Sequence, residues 1–460
     1  MLAIILLSLL KSSGATKSVE KCPEGCNCSF TSLDSHLTVE CAHTQTKINA
    51  EEFSRQLDSL LFTGQFEEHL TSLNISNTSL TRIPASACNL LNLNSLYLAG
   101  NKLTELPDYC FTNMTKLVTV SMSWNAITGL QDGVFDSLRS LETLDLSHNQ
   151  INFIELRVFS SDSDLGSLRR LNIDNNKLTS LEPLWYYRCI HDSSKSPVII
   201  NLSHNLITNF TNKLQFHFRC NMKKVHGSVN IGGNPVSHLM DMFNGWNITG
   251  PEVYRCLNYI QKQYRYLRFY LLGLNLSCDC VDYEILKHTW NTPVFGALQG
   301  VHCIDHNTGL TKPINTINMI DVVCELPDRC PSSCQCVYRP DNTTLHIYCS
   351  TANLSSLPLD LPPLPKSDVR YKLDFSNNKR LQHVGHRPYF LNTSILDISN
   401  CSISEVTMDV LEDLSHINVA DFRGNLLQSF SRKADTLNIS AKLLLGLNPW
   451  RCPCDNSWMI

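Results

Sequence analysis

Cysteine carries most of the chemical potential in this chain, and it comes in tight groups. Of the 20 cysteines, four fall as Cys22-x3-Cys26-x-Cys28-x12-Cys41, four as Cys278-x-Cys280-x22-Cys303-x20-Cys324, and four as Cys330-x3-Cys334-x-Cys336-x12-Cys349. Cysteines at such spacings either hold a metal ion or close disulfides, and the redox compartment decides which. The first and third groups share one spacing, a recurrence that chance rarely gives. Two histidines, His148 and His204, each stand in Leu-Ser-His-Asn and invite a catalytic reading. A catalytic base needs a nucleophile and an electrophile converging with it in a pocket. The chain has no Gly-x-Ser-x-Gly, no His-Glu-x-x-His and no phosphate loop. No catalytic, cofactor or metal residue is therefore assigned, and the chain is expected not to be an enzyme.

The compartment can be read from other residues. Leu2–Leu10 is an apolar run followed by Ser13-Gly-Ala15, which reads as a secretory signal over 1–15. It is too short to span a bilayer, which takes about 20 residues. Asn-x-Ser/Thr sequons begin at Asn27, Asn74, Asn77, Asn113, Asn201, Asn209, Asn247, Asn275, Asn342, Asn353, Asn392, Asn400 and Asn438. Asn113, Asn209, Asn247, Asn342 and Asn392 are expected to carry glycans. An extracellular setting favours disulfides over metal in all three groups. A formal charge of −4 argues against a nucleic-acid partner.

The elements that must position these residues come from one repeated segment, Leu141-Glu-Thr-Leu144-Asp-Leu146-Ser-His-Asn149-Gln-Ile151. Leu144 and Leu146 alternate on a short strand and face one core with Leu141. The pattern is that of a leucine-rich repeat, and it predicts an α/β horseshoe solenoid with short parallel strands on the concave side. Asn149 sits where the chain turns out of the strand. Its amide is expected to satisfy the buried backbone of that turn and of the next repeat. Asn101, Asn125 and Asn149 lie 24 apart, and the spacing loosens to Asn176, Asn205 and Asn234. Leu57–Phe66 reads as a degenerate repeat, and Leu70, Leu73, Ile75 and Thr78 as the next. After an insertion holding Trp246 and Cys256, Leu267, Tyr270, Leu272 and Asn275 read as the last repeat of the block. In that register Asn275 points inward and carries no glycan.

A second, shorter block follows: Leu373, Phe375 and Asn378, then Leu396, Ile398 and Cys401, then Ala420, Phe422 and Asn425, then Leu443, Leu445 and Asn448. Cys401 stands in the asparagine place and reads as structural and reduced. Leu357–Pro365 (LPLDLPPLP) reads as a stiff entry to this block. Each end of a stack exposes its leucines and needs a lid. The predicted organisation is therefore a signal (1–15), an N-terminal cysteine cap (16–56), repeats (57–277), a C-terminal cap (278–324), a second N-terminal cap (325–365), repeats (366–449), and the start of another cap (450–460). That last cap lacks two partner cysteines, so the sequence is expected to be part of a longer one. Cys88 and Cys110 are similarly placed in adjacent repeats and fit a convex-side bridge, as do Cys189 and Cys220.

The residue before each ladder asparagine faces the concave surface and is read as free to vary: Gly100, Trp124, His148, Asn175, His204, Gly233. Strands about 4.8 Å apart put Trp124 beside His148, with Tyr97 on the same face. An exposed tryptophan among small polar residues is a reasonable anchor for a partner. Tyr97, Trp124, His148, Asn175 and His204 are the candidate ligand-binding residues. Asn74 and Asn201 also face this side, and glycans there would push a ligand to the edge or the convex surface.

The back-to-back groups Cys278–Cys324 and Cys330–Cys349, the segment Tyr389-Phe-Leu-Asn-Thr-Ser-Ile-Leu396, and Asn448-Pro-Trp-Arg-Cys452-Pro-Cys454 resemble the extracellular part of Toll receptors, of the invertebrate kind with several cysteine clusters. The resemblance implies the pairs Cys22–Cys28, Cys26–Cys41, Cys278–Cys303 and Cys280–Cys324. By the shared spacing it implies Cys330–Cys336 and Cys334–Cys349 as well. It further implies a single-pass membrane receptor with its ligand-binding part on the extracellular side. Such a receptor binds a cystine-knot cytokine or a microbial product and forms a homodimer or heterodimer that signals through a TIR domain. A secreted guidance or matrix protein of the Slit kind, which also strings capped blocks in tandem, is the other expectation.

Overall fold

A computed structural model of the chain describes residues 22, 25–30, 36–41, 50–61, 69–159, 165–181, 198–210, 227–241, 267–283, 286–287, 300–304, 309–326, 330–429 and 441–451. Contacts divide it into two compact units, one within 1–277 and 284–316 and the other within 278–283 and 317–460. The first holds a ten-stranded sheet running Asn27–Phe30, Leu37–Glu40, Leu70–Asn74, Ser95–Tyr97, Thr119–Ser121, Thr143–Asp145, Arg170–Asn172, Val198–Asn201, Gly227–Asn230 and Leu267–Tyr270. Its first two strands pair antiparallel and all later ones parallel. The second holds a seven-stranded sheet that begins antiparallel at Cys324–Glu325, Gln335–Arg339 and Thr344–Tyr348. It turns parallel through Arg370–Asp374, Thr393–Asp397, Val419–Asp421 and Lys442–Leu444. The leucine-rich repeat solenoid with disulfide-bonded caps is therefore the fold.

The register explains the composition. Leu73, Leu96, Val120, Leu144, Leu171, Ile200, Val229 and Phe269 are cross-strand neighbours in one row, and all are buried. On the return side Phe111, Phe135 and Phe159 stack in a second row, with ring centroids 5.9 and 6.3 Å apart. Between these rows run the asparagines. Asn149 Nδ2 donates to the carbonyls of Met122 (2.9 Å) and Leu146 (3.0 Å), and its Oδ1 accepts from the Ile127 amide at 3.0 Å. The bonds thus run to the preceding repeat, not to the following one as the sequence suggested. Asn101, Asn125, Asn176, Asn205, Asn234, Asn425 and Asn448 make the same backward contacts. Thr78, in the first asparagine place, instead donates its hydroxyl to the Ile75 carbonyl.

Two repeats differ from the sequence reading. Residues 50–61 are an α-helix, and strand Leu37–Glu40 pairs directly with Leu70–Asn74, so Leu57–Phe66 is not a rung. The helix packs on the next return segment, where Asp58 accepts from the amide and hydroxyl of Ser86. At the end of the first sheet the frame is one residue earlier than read. Phe269, Leu271, Leu274 and Leu276 face inward, while Tyr270, Leu272 and Asn275 are exposed. A one-residue slip moves every side chain to the opposite face. The run Phe269-Tyr-Leu-Leu-Gly-Leu-Asn-Leu276 offers apolar residues in both frames, and strand pairing selects the one that puts Leu274 in the asparagine place. The inward assignment of Asn275 is corrected, and with it the argument against a glycan there.

Disulfides join Cys22 to Cys28, Cys26 to Cys41, Cys280 to Cys324, Cys330 to Cys336, and Cys334 to Cys349. Cys278 and Cys303 are disulfide-bonded too. Cys88 and Cys110 are bridged on the return side. Cys189, Cys220, Cys256, Cys452 and Cys454 lie outside the described residues, as do the 1–15 signal, the insertion around Trp246 and the Asn247 sequon.

In the second unit the proline-rich entry is part of the core, with Leu357 and Leu361 buried. Its carbonyls are held from further along the chain. Tyr389 Oη donates to Pro358 at 2.9 Å, Tyr371 Oη to Pro362 at 2.7 Å, and Arg387 Nη2 to Leu357 at 3.1 Å. Cys401 is buried and free, donates weakly to the Phe375 carbonyl, and its thiol is pushed up by burial. A thiol suffices there for a specific reason. The extra residue before Leu381 lets the Leu381 amide bond to the Asn378 carbonyl at 3.0 Å, so no side-chain acceptor is required of residue 401.

Asn149→Leu is expected to leave the Ile127 amide unpaired, at a cost of about 1–3 kcal/mol, while the Met122 carbonyl keeps its bond from Asn125 Nδ2 at 3.0 Å. The check is hydrogen exchange at Ile127, which should speed up by at least tenfold. Unchanged exchange there would contradict the ladder. The His346 imidazole is half-buried beside Lys372 and Arg339, and burial first, then those two charges, pushes its pKa down to about 4. The unfolded chain takes up this proton near 6.5. The folded second unit is therefore favoured above that pH and loses this margin as pH falls toward 4. Denaturant midpoints between pH 7 and 4 should drop less steeply in His346→Gln than in the parent.

Candidate ligand surface

The column before the ladder asparagines is the most constrained part of the exposed face of the sheet. Asn77, Gly100, Trp124, His148, Asn175, His204, Gly233 and Gly273 all have positive φ, between 51° and 79°. In the second unit Thr351, Asn377, Asn400, Gly424 and Leu447 do the same. The left-handed turn aims each N–H at the next rung. Trp124 donates to Ser147 (3.0 Å), His148 to Asp174 (2.9 Å), Asn175 to Ser203 (3.0 Å) and His204 to Gly232 (2.9 Å). The column is therefore not free to vary: glycine and asparagine suit this conformation, and a bulky side chain there carries a backbone cost.

Trp124 accepts that cost while 62% exposed. Its ring stacks on His148 with centroids 3.8 Å apart and planes 9° from parallel. The expected neighbours do meet. Asn175 and His204 are joined by a residue that sequence reasoning misses, Asp174. Asp174 Oδ1 lies 3.1 Å from His204 Nδ1 and accepts from the Ser203 hydroxyl at 2.7 Å. Its Oδ2 accepts from Asn175 Nδ2 at 2.7 Å. Burial alone would raise this carboxyl, but the bonds from Ser203, His204 and Asn175 and the charge of His204 outweigh it and hold it below its ordinary value. Tyr97 is half-buried one strand away, and the partner stacked on Trp124 is His148, so the structure does not gather Tyr97 into either cluster. What signal there was for Asp174 lay in its place one residue before the column, where Ala99, Ser123, Ser147 and Ser203 are small and it is the charged residue of the first unit.

The arrangement offers a planar aromatic pair beside a fixed carboxylate, imidazole and amide. It can bind through shape and hydrogen bonds. Among the described residues no group of His, Cys, Asp and Glu is arranged to hold a metal. Asn113, Asn342 and Asn392 are exposed, and the side chain of Asn209 lies outside the described residues. Asn74 and Asn201 are half-buried and use Oδ1 to accept from the amides of Ser76 (3.1 Å) and Ser203 (3.3 Å).

Residues 68–127 and 119–178 match the family model described as leucine rich repeat. Leucine-rich repeat-containing protein 3 of Danio rerio is 28% identical over 141 residues, 30% of this chain and 50% of that protein. Protein toll of Drosophila melanogaster is 26% identical over 165 residues, 33% of this chain and 15% of that protein. The chain thus spans half or less of these relatives. Among solved structures, the Drosophila Toll–Spatzle complex superposes with a TM-score of 0.56 at 21% identity, covering 84% of this chain and 53% of that one. Its glycosylated form gives the same TM-score and coverage at 24% identity. Repeat pattern, capped blocks and superposition agree: residues 68–178 match leucine rich repeats, and the chain has the leucine-rich repeat solenoid fold that the Toll ectodomain also has.

Proposed function

We propose that this chain is the ligand-binding extracellular portion of a Toll-type receptor, non-enzymatic, which pairs with a second receptor when ligand binds. The paired receptors signal through a TIR domain beyond this chain. The parent is a membrane-anchored glycoprotein of innate immunity or development, and its ligand is a cystine-knot cytokine or a microbial product. The single observation that carries this reading is the fold likeness to Toll across 84% of the chain. That coverage reaches into both capped blocks, and the matched Toll chain is in complex with Spatzle. The ligand surface is the exposed sheet face of the first unit, centred on Asp174, Asn175 and His204 and rimmed by the Trp124–His148 stack. Tandem capped blocks also fit a secreted Slit-like matrix protein, for which the parent transcript would encode further capped blocks instead of a TIR domain.

The test uses the secreted chain on a biosensor against purified cystine-knot dimers and bacterial cell-wall fragments, with light scattering to follow mass. One ligand class should bind with submicromolar affinity and double the receptor mass. Binding by none of them, from a chain with intact disulfides, counts against the proposal. Asp174→Ala should weaken the bound ligand by about tenfold, or ~1.4 kcal/mol, while the melting temperature stays put. Full affinity in this variant would take the carboxylate cluster out of the site.

A further inference from the structure

The same three-residue arrangement occurs once in each unit, and its copy in the second unit lies outside the ligand surface proposed above. In the first unit the left-handed column runs Asn77, Gly100, Trp124 on successive rungs. In the second it runs Asn400, Gly424, Leu447. In both, the asparagine starts a sequon, Asn77-Thr-Ser79 and Asn400-Cys-Ser402, and is exposed. In both, its amide leans over the glycine of the next rung: a Cβ at Gly100 would meet Asn77 Oδ1 at 2.0 Å, and one at Gly424 would meet Asn400 Oδ1 at 2.3 Å. The residue beyond the glycine is a large apolar side chain left in water, Trp124 at 62% and Leu447 at 85% exposed, each at a positive φ that bulky residues avoid. The two other asparagines of the column, Asn175 and Asn377, begin no sequon and are followed on the next rung by His204 and Asn400, not by glycine.

We infer that Asn77 and Asn400 are N-glycosylation sites whose first sugar lies along the column, over Gly100 and Gly424, and covers Trp124 and Leu447. The amide geometry allows it. With Oδ1 turned down onto the glycine, Nδ2 is the atom left facing outward, and neither Nδ2 makes a hydrogen bond among the described residues. Transfer comes from a lipid-linked oligosaccharide pyrophosphate. The Nδ2–C1 bond forms, the C1–O bond to the pyrophosphate breaks, and the lipid pyrophosphate leaves with the electron pair while the amide releases one proton. Two rungs separate asparagine from apolar residue, about 10 Å at the usual strand spacing. The glycine between them removes the one side chain that would fill that span. The C–H face of an N-acetylglucosamine ring then meets the open face of the Trp124 indole, whose other face is on His148. At Leu447 the gain is removal of apolar surface from water. Glycans here leave the Asp174, Asn175 and His204 cluster uncovered, two or more rungs further on.

The experiment is glycopeptide mapping of the chain secreted from eukaryotic cells, followed by hydroxyl-radical footprinting resolved to Trp124 and Leu447. Asn77 and Asn400 should be occupied. Trimming with an endoglycosidase that leaves one N-acetylglucosamine should keep both residues protected. Ser79→Ala and Ser402→Ala, which abolish the sequons and leave the asparagines in place, should raise labelling of Trp124 and Leu447 respectively by threefold or more. Unoccupied asparagines, or labelling that does not change when the sugar is absent, would overturn the inference. Because ligand is absent from every arm, the result is independent of the receptor proposal.

Discussion

A turn that leaves a buried strand strands its own backbone polar groups, and this fold satisfies them by borrowing from the next unit along. Each ladder asparagine donates to carbonyls of its own repeat and of the repeat before it, and accepts from an amide of that earlier repeat. No rung is therefore complete without its successor. This makes stability a chain of nearest-neighbour terms, and at the other end both sheets begin with an antiparallel, disulfide-tied hairpin. The first rung needs a surface that is already closed on its far side. The same logic accounts for Cys401. Where one inserted residue lets the backbone satisfy itself, the amide side chain is no longer required and a thiol can stand in its place.

A second constraint acts on the outer face. The step from strand to ladder passes through a left-handed residue at every rung, so the surface most available to partners is written in a restricted alphabet. Glycine and asparagine are at ease there, while tryptophan and leucine are not. The large exposed apolar residues among those that break the rule, Trp124 and Leu447, mark places where something other than backbone preference chose the side chain. Asp174 is informative in another way. It lies just outside the column and organises two column residues into one hydrogen-bonded group.

Most of the fold was legible in the sequence because asparagine and leucine recur at fixed intervals that only a stacked solenoid uses. The rungs at Asn101, Asn125 and Asn149, the whole second block and the Cys88–Cys110 bridge follow from spacing alone. The last rung of the first sheet did not, because a run such as Phe269–Leu276 is apolar in either frame and only pairing with Gly227–Asn230 decides between them. The helix at 50–61 escapes the pattern for a related reason: Leu57, Leu60 and Phe62 sit at the spacing of a rung's first three leucines. At the surface, the Trp124–His148 contact was readable from strand spacing. The role of Asp174 and the left-handed backbone were not, since neither leaves a periodic mark that differs from ordinary loop composition.

The proline-rich entry to the second unit has a mechanical consequence. Tyr389 grips the Pro358 carbonyl from 31 residues further along the chain. Arg387 and Tyr371 hold its neighbours in the same way. Tension applied at that entrance is thus shared from the outset with the strand Arg370–Asp374 and the turn before Thr393–Asp397. Lifting this entry away from the stack therefore means breaking the bonds from Tyr371, Arg387 and Tyr389 as well.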